Sequence, residues 1–477
     1  MNPTTADFKS NARAALGDAQ LQRALGGLPG GLVAQRAAAK AGLPEFEQLR
    51  TIGRDVKNHM LANLDVYLAR YEQKATENGA QVHWAQTAAD ARDIILKICR
   101  DADAKLVTKG KSMVSEEIGL NAHLEDAGLR VVETDLGEYL VQIRHEIPSH
   151  IVVPALHLTQ AQVEAEFRSK HTHLPADRAL PDAAAMVSEA RGVMRENYIM
   201  ADVGITGANF LIAETGSSVI VTNEGNGDLT QSLARVHVVI TSIEKVMATL
   251  EDVTTVLRLL ARSATGQDLT NYVTFSTGPR RAGDPDGPEA YHVVILDNGR
   301  SELLGTEFRE VLRCIRCAAC MNHCPVYNAV GGHAYGWVYP GPIGSVLTPA
   351  QLGVKVAGNL PNASTFCGAC EAVCPVKIPL PGLMRKWRNR EFDAGYPSFI
   401  AKRSLGLFAF LATRPRLYHL LTRFAAAGLS AAGGSRRSFR YLPFASGWTR
   451  HRDLPAPQGR TFQQLWSERK QGIAPDV

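Results

Sequence analysis

The sequence predicts an α/β domain with a largely parallel sheet, followed by a helical module built around cysteine. Three observations carry that expectation. Short apolar runs alternate with helical stretches over 76–300. Seven of the eight cysteines lie between Cys314 and Cys374. The alanine-rich, polar first 75 residues and the arginine-studded tail follow neither pattern.

In chain order, 1–75 reads as helical, with LPGG at 28–31 parting one helix from the next. The α/β domain spans 76–300. Its apolar runs at 104–107, 129–134, 151–153, 210–213, 219–222, 236–241 and 291–296 read as strands, several bounded by Gly, Asp, Asn or Pro. Between the first two, Ser115 reads as the N-cap of a helix with Glu116 and Glu117 in its first turn. Leu120 and Leu124 share a face of that helix and Gly128 ends it. Val253, Val256, Leu257 and Leu260 set a second helix at i, i+3, i+4 and i+7. The Gly-, Pro- and charge-rich 276–290 is an exposed loop before the last strand. A cysteine module at 301–395 and a helical tail at 396–477 complete the chain.

Composition narrows the class. With 477 residues the chain holds more than one domain. A net charge of +5 without a basic recognition tract argues against nucleic acid. The N-terminus lacks the apolar core of a signal peptide, and the strongest apolar run, near 405–412, is too short to span a bilayer. The chain therefore reads as soluble and cytoplasmic. Membrane contact is at most peripheral: the stretch at 401–440 interleaves Leu and Phe with Arg, which suits a partner surface better than a lipid one. In such a setting, cysteines two and three residues apart read as metal ligands and not disulfides.

The first cysteine motif is Cys314, Cys317, Cys320, Cys324 and Pro325, a C-x2-C-x2-C-x3-C-P run. Two-residue steps wrap the backbone around one iron–sulfur cube, and the three-residue step carries the last thiolate away from it. The second motif, Cys367, Cys370, Cys374 and Pro375, matches the last three cysteines of the same run, with Ser364 in the first place. In two-cluster ferredoxins the fourth cysteine of each run serves the other cluster. By that rule cluster one takes Cys314, Cys317, Cys320 and Cys374, and cluster two takes Cys324, Cys367 and Cys370. Ser364, another residue or an external group fills the remaining place, or the cluster holds three irons; a [4Fe–4S] cluster with a non-cysteine ligand is the reading preferred. Zinc closes its shell on four ligands and fits seven cysteines in ferredoxin-type runs poorly. The 42 residues between Cys324 and Cys367 look largely helical, so the module reads as an α-helical ferredoxin domain.

Inside the α/β domain, TKGKS at 108–112 follows a strand and opens a helix. A Walker loop needs glycine where Lys105 stands, but the turn still offers amides and ammonium groups to an anion. ETDLGEY at 133–139 places Asp135 and Glu138 in a loop, with Gln142, His145 and Glu146 nearby. Glu214 opens ETGSS at 214–218, between two strands. Lys109, Lys111, Glu138 and Glu214 are the candidate catalytic pocket. Turn and cap chemistry is the competing reading for each.

The segments TKGKSMVSEEIGLN, ETDLGEYLVQ and FLIAETGSSVIVTNEGN, then CIRCAACMNHCPVYN and FCGACEAVCPVKIPLP, resemble the lactate utilisation protein B family. The likeness runs from about residue 45 to TFQQLW at 461–466. It implies a LUD-type domain with a CoA-transferase/isomerase-like sheet, a fold group in which a glutamate such as Glu214 can act as nucleophile. It also implies two [4Fe–4S] clusters, with Ser364 as part of the family pattern. The activity implied is electron transfer in a complex that oxidises L-lactate to pyruvate without free NAD, with lactate utilisation proteins A and C as partners and L-lactate or pyruvate as ligand. The alternative is a ferredoxin-like adaptor for another dehydrogenase.

Overall fold

The structure, a computed structural model, describes residues 3–443, 445–449 and 452–471. It divides into a unit of residues 1–394 and a unit of residues 395–477. In the first, the strands are β1 (Gln81–Ala85), β2 (Leu106–Lys109), β3 (Arg130–Glu133), β4 (Val203–Gly207), β5 (Phe210–Ile212), β6 (Ser217–Thr222), β7 (Val236–Ser242), β8 (Val246–Met247), β9 (Tyr272–Ser276) and β10 (Ala290–Leu296). Six of them form one parallel sheet in the order β1-β10-β7-β4-β2-β3, with Val236 beside Ala290 on one side and Val203 on the other. Strands β2 and β7 are buried along their whole length, as apolar strands covered on both faces must be. The other sheet, β8-β5-β6-β9, carries the β5–β6 hairpin.

Several expectations change. Residues 151–153 form no strand; they are a loop in which Val152 and Val153 donate their amides to His150 Nδ1. The apolar pattern gives no strand at β1, β4, β8 or β9. In β4 the glycines hide the strand pattern, and they are there for contact: a Cβ on Gly204 would lie 1.9 Å from the Thr230 carbonyl oxygen. Ser115 is not an N-cap. Ser112 caps the helix Met113–Glu117, and Gly119, at φ 64°, parts it from Leu120–Asp126. The helix Leu250–Ala264 forms as read, capped by Thr249, with its four predicted apolar residues buried.

Residues 5–75 are largely helical and pack into the same core as the cysteine module. Met60, Leu61, Leu64 and Tyr71 join Phe308, Met321, Tyr339 and Trp387 in one apolar cluster. Phe308 stacks on Trp387 at 3.9 Å. The α/β domain and the module also share a buried polar seam. Glu117 accepts from Arg300 at 2.6 and 3.0 Å, from Asn298 at 2.6 Å and from the Tyr339 hydroxyl at 2.8 Å. Arg300 Nε lies 3.1 Å from Glu244 Oε2, an ion pair too bent to count as a hydrogen bond.

In the second unit, helices Phe399–Ala412 and Pro415–Gly433 precede a two-stranded ribbon and the helix Phe462–Lys470, which Thr461 and Gln464 close with a capping box. Helix Phe399–Ala412 buries no residue. Among the described residues, no helix is long and apolar enough to cross a membrane.

Candidate functional site

The two cysteine motifs repeat each other in backbone detail. Left-handed residues flank the cysteine at the second place of the run in both, Arg316 and Ala318 around Cys317, Phe366 and Gly368 around Cys367. Short helices, Ala319–Asn322 and Ala369–Val373, then carry Cys320 and Cys370. The left-handed turns swing amides toward sulfur. The Arg316 amide donates to Cys314 Sγ at 3.4 Å, and the Ala319 and Ala369 amides serve Cys317 and Cys367. The Phe366 amide donates to Ser364 Oγ at 3.1 Å, the counterpart of the Arg316–Cys314 bond. Ser364 therefore stands in the place of a first cysteine in geometry as well as in sequence. Cys324 caps the helix that Pro325 opens, and Cys374 accepts from the Ile378 amide at 3.3 Å.

The thiols fall into two groups. Cys374 lies within electrostatic reach of Cys314, Cys317 and Cys320. Cys324 faces Cys367 and Cys370. None is in a disulfide. Burial pushes the Cys317 and Cys370 thiols up to about 12 and raises Cys320, Cys324 and Cys374 as well. So many thiols buried in one place, with amides aimed at their sulfurs, suit a cationic metal core that neutralises thiolates. The second group reaches the surface at the exposed Cys367.

Two arginines from the N-terminal helices clasp the second motif. Arg50 donates to the Cys374 carbonyl at 2.7 and 3.0 Å, and Arg36 to the Val373 carbonyl at 2.9 Å. The sequence offered no signal for either, because the contacts join residues more than 300 apart.

A cavity of about 510 Å³ opens at the carboxyl ends of β2, β3, β4 and β7, the end where open parallel sheets bind ligands. Lys111, Asp135, Glu224 and Lys245 line it, and so does Arg316 from the first cysteine motif. Lys111 donates to the Val152 carbonyl at 2.7 Å and lies 3.8 Å from Asp135. Arg316 stacks over Tyr339 and lies 3.5 Å from Glu244. Lys245 is 5 % exposed and has no hydrogen-bond or ion-pair partner among the described residues. Desolvation, then the nearby Arg316, lowers its ammonium to about 7.

Of the candidate pocket residues, only Lys111 lines this cavity. Lys109 is wholly buried, 2.7 Å from Glu133 and 2.9 Å from Glu116 and the Ser115 hydroxyl. Glu138 is buried beside that network, with Oε1 lacking a partner, and burial raises its carboxyl well above the usual range. Glu214 is exposed and accepts from the Leu250 amide at a helix start. The fold thus does not bring the four together. Apolar burial drew Lys109 inward with β2, and the β5–β6 turn set Glu214 apart from the cavity wall. Gln142 bonds the β3 backbone, and Glu146 pairs with Arg144 and His157.

Three family models match the chain. A LUD domain model matches residues 68–296, a 4Fe-4S dicluster domain matches 310–378, and the C-terminal domain of lactate utilisation protein B matches 397–471. The cysteine module is thus an iron–sulfur domain, with its cysteines at 314–374. Lactate utilization protein B of Anoxybacillus flavithermus is 41 % identical, over 98 % of this chain and 99 % of its own. Its counterpart in Geobacillus sp. is 42 % identical over 98 % of each. An uncharacterized electron transport protein, YkgF of Escherichia coli K12, is 41 % identical over 98 % of this chain and 97 % of its own.

Proposed function

Because the chain belongs to the lactate utilisation protein B family, we propose that it is the electron-transfer subunit of a complex that oxidises L-lactate to pyruvate. The observation that carries this reading is the pair of thiol groups, one beside the α/β cavity and one ending at the surface. Oxidation of lactate to pyruvate releases two electrons and two protons, and iron–sulfur clusters accept electrons singly. Two [4Fe–4S] clusters in one chain suit that count. Cluster one is assigned to Cys314, Cys317, Cys320 and Cys374. Cluster two is assigned to Cys324, Cys367 and Cys370, with Ser364 at the fourth place. The exposed apolar residues of the second unit, Phe399, Ile400 and Phe408 among them, suit docking to partner subunits, for which lactate utilisation proteins A and C are the candidates, in the cytoplasm.

Two experiments test this. Anaerobically purified protein should be brown and hold close to eight irons and eight sulfides per chain, the content of two [4Fe–4S] cubes; a colourless, zinc-loaded protein ends the cluster assignment. A strain lacking the gene, and any second lactate dehydrogenase, should fail to grow on lactate as sole carbon source. Normal growth removes the lactate reading and leaves the adaptor alternative.

A further inference from the structure

The cavity contains two separate groups of charge. Lys111, Asp135 and Glu224 lie within electrostatic reach of one another, a mixed cluster of one cation and two carboxyl groups. Lys245 and Arg316 form the other group, and they sense Cys314 and each other. Around this second group the ledger is unbalanced. Four cations, Lys57, Lys245, Arg300 and Arg316, face the carboxylates of Glu117 and Glu244 and the Cys314 thiol; Arg300 pairs with both carboxylates, Arg316 shares Glu244 at 3.5 Å and Lys57 donates to the Glu244 carbonyl, so among the described residues Lys245 is the one of the four without a hydrogen-bond or ion-pair partner. A buried ammonium without a partner is costly, and it persists only where something answers it.

We propose that the cavity binds a small 2-hydroxy- or 2-oxocarboxylate, its carboxylate paired with Lys245 and Arg316 beside Cys314. The guanidinium fork and the ammonium supply the donors that a carboxylate takes. Asp135 and Glu224, on the same cavity lining, supply acceptors for the 2-hydroxyl. The cavity is larger than a three-carbon acid fills, which leaves room for a second molecule over the anchored acid. Arg316 stands between Cys314 and Cys317 and also lines the cavity, so the bound acid sits next to the first thiol group. This inference rests on the lactate reading for the identity of the acid, and on the unpartnered Lys245 for the site.

The competing role for Lys245 is to offset the negative charge of the first thiol group alone. Both are tested on the anaerobic, iron-loaded full chain. Equilibrium dialysis with labelled pyruvate and with L-lactate is run beside acetate and inorganic phosphate, and the EPR spectrum of the reduced protein is recorded with and without each acid. The expected result is saturable binding of pyruvate and lactate, tighter than acetate or phosphate, and a change in the EPR signal on binding. Lys245→Met, which keeps length and removes charge, should weaken binding by about tenfold or more with iron content unchanged. Unchanged binding in an iron-replete Lys245→Met protein overturns the proposal, as does a shift in reduction potential without loss of acid binding. If that variant does not load iron, the wild-type arms decide: no saturable binding, or tighter binding of phosphate than of pyruvate, overturns the site. Loss of growth on lactate in the deletion strain together with absent binding refutes the site and keeps the lactate reading. Binding together with normal growth of that strain refutes the lactate reading and keeps the site.

Discussion

Replacing Glu117 by glutamine probes the seam that fixes the cysteine module to the α/β domain. Both Glu117 and Arg300 have side chains 1 % exposed. Desolvation alone would push the Glu117 carboxyl up, but Arg300 outweighs it and the group stays low, so it is charged in the folded state. Removing that charge leaves the Arg300 guanidinium with the Asp297 carbonyl, at 3.0 Å, and the bent pair to Glu244. Breaking one side of a buried pair costs about 3–5 kcal/mol. Glutamine keeps one acceptor oxygen for Asn298, the Tyr339 hydroxyl can turn to accept from its amide, and Arg300 keeps the Asp297 carbonyl and Glu244, so the lower end, about 3 kcal/mol, is expected. With a urea dependence of about 3 kcal/mol per molar, the unfolding midpoint should fall by roughly 1 M. Far-ultraviolet circular dichroism of the iron-loaded protein, with visible absorbance read in parallel, measures it. Tyr339→Phe removes a hydroxyl donor to the same carboxylate at a cost of about 1.5–3 kcal/mol. The double variant should be less destabilised than the sum, because both changes remove one shared interaction. A midpoint within about 0.2 M of wild type for Glu117→Gln, or strict additivity with Tyr339→Phe, would refute the view that this seam couples the two parts.

Three further outcomes follow from the same structure. Ser364→Cys supplies a thiol where the Phe366 amide already points; EPR and iron analysis should show a second cluster more resistant to iron loss on mild oxidation, and an unaltered second signal would count against Ser364 holding the fourth place. Buried Glu133 and Glu138 share Lys109 with Glu116, and desolvation raises both carboxyls, Glu133 to about 7. Their folded values exceed the usual 4.5, so their stability contribution is full below that pH and is lost as pH rises above it, for Glu133 through about 7. Glu138→Gln should therefore raise the melting temperature at pH 8 and leave it nearly unchanged at pH 5; equal effects at both would remove this electrostatic account. Gly332→Ala would place a Cβ 1.7 Å from the Ser149 carbonyl oxygen, where Tyr327 also bonds at 2.8 Å. Calorimetry of this variant should show destabilisation beyond about 3 kcal/mol, since backbone must shift, and a change under 1 kcal/mol would mean that the 149 loop yields freely.

His150 shows how far a structure can specify a side chain once its neighbours are known. Its Nδ1 accepts two amides, so the ring proton sits on Nε2 and is donated to Asn322 Oδ1 at 2.9 Å. Burial lowers the imidazole to about 4, which keeps it neutral. Nothing in the letters around His150 announces that role, because its partner lies 172 residues on.

The same contrast runs through the whole molecule. Local chemistry was legible: cysteine spacing, the glycines and prolines that punctuate it, the apolar face of Leu250–Ala264, and the buried strands at 210–212 and 236–242. Each depends on neighbours within a few residues, and iron–sulfur motifs are short because one cube is small. The cavity was not legible. Lys111, in its glycine-lysine turn, does line the wall, but Lys109, Glu138 and Glu214 do not. Lys245 and Arg316 entered it from a strand end and from the cysteine motif. Which charged groups face one another is decided by how a six-stranded sheet, an N-terminal helical layer and a cysteine module close on one core. That closure is driven by apolar burial, which has no direction of its own. The polar residues it carries along meet only once every element is in place.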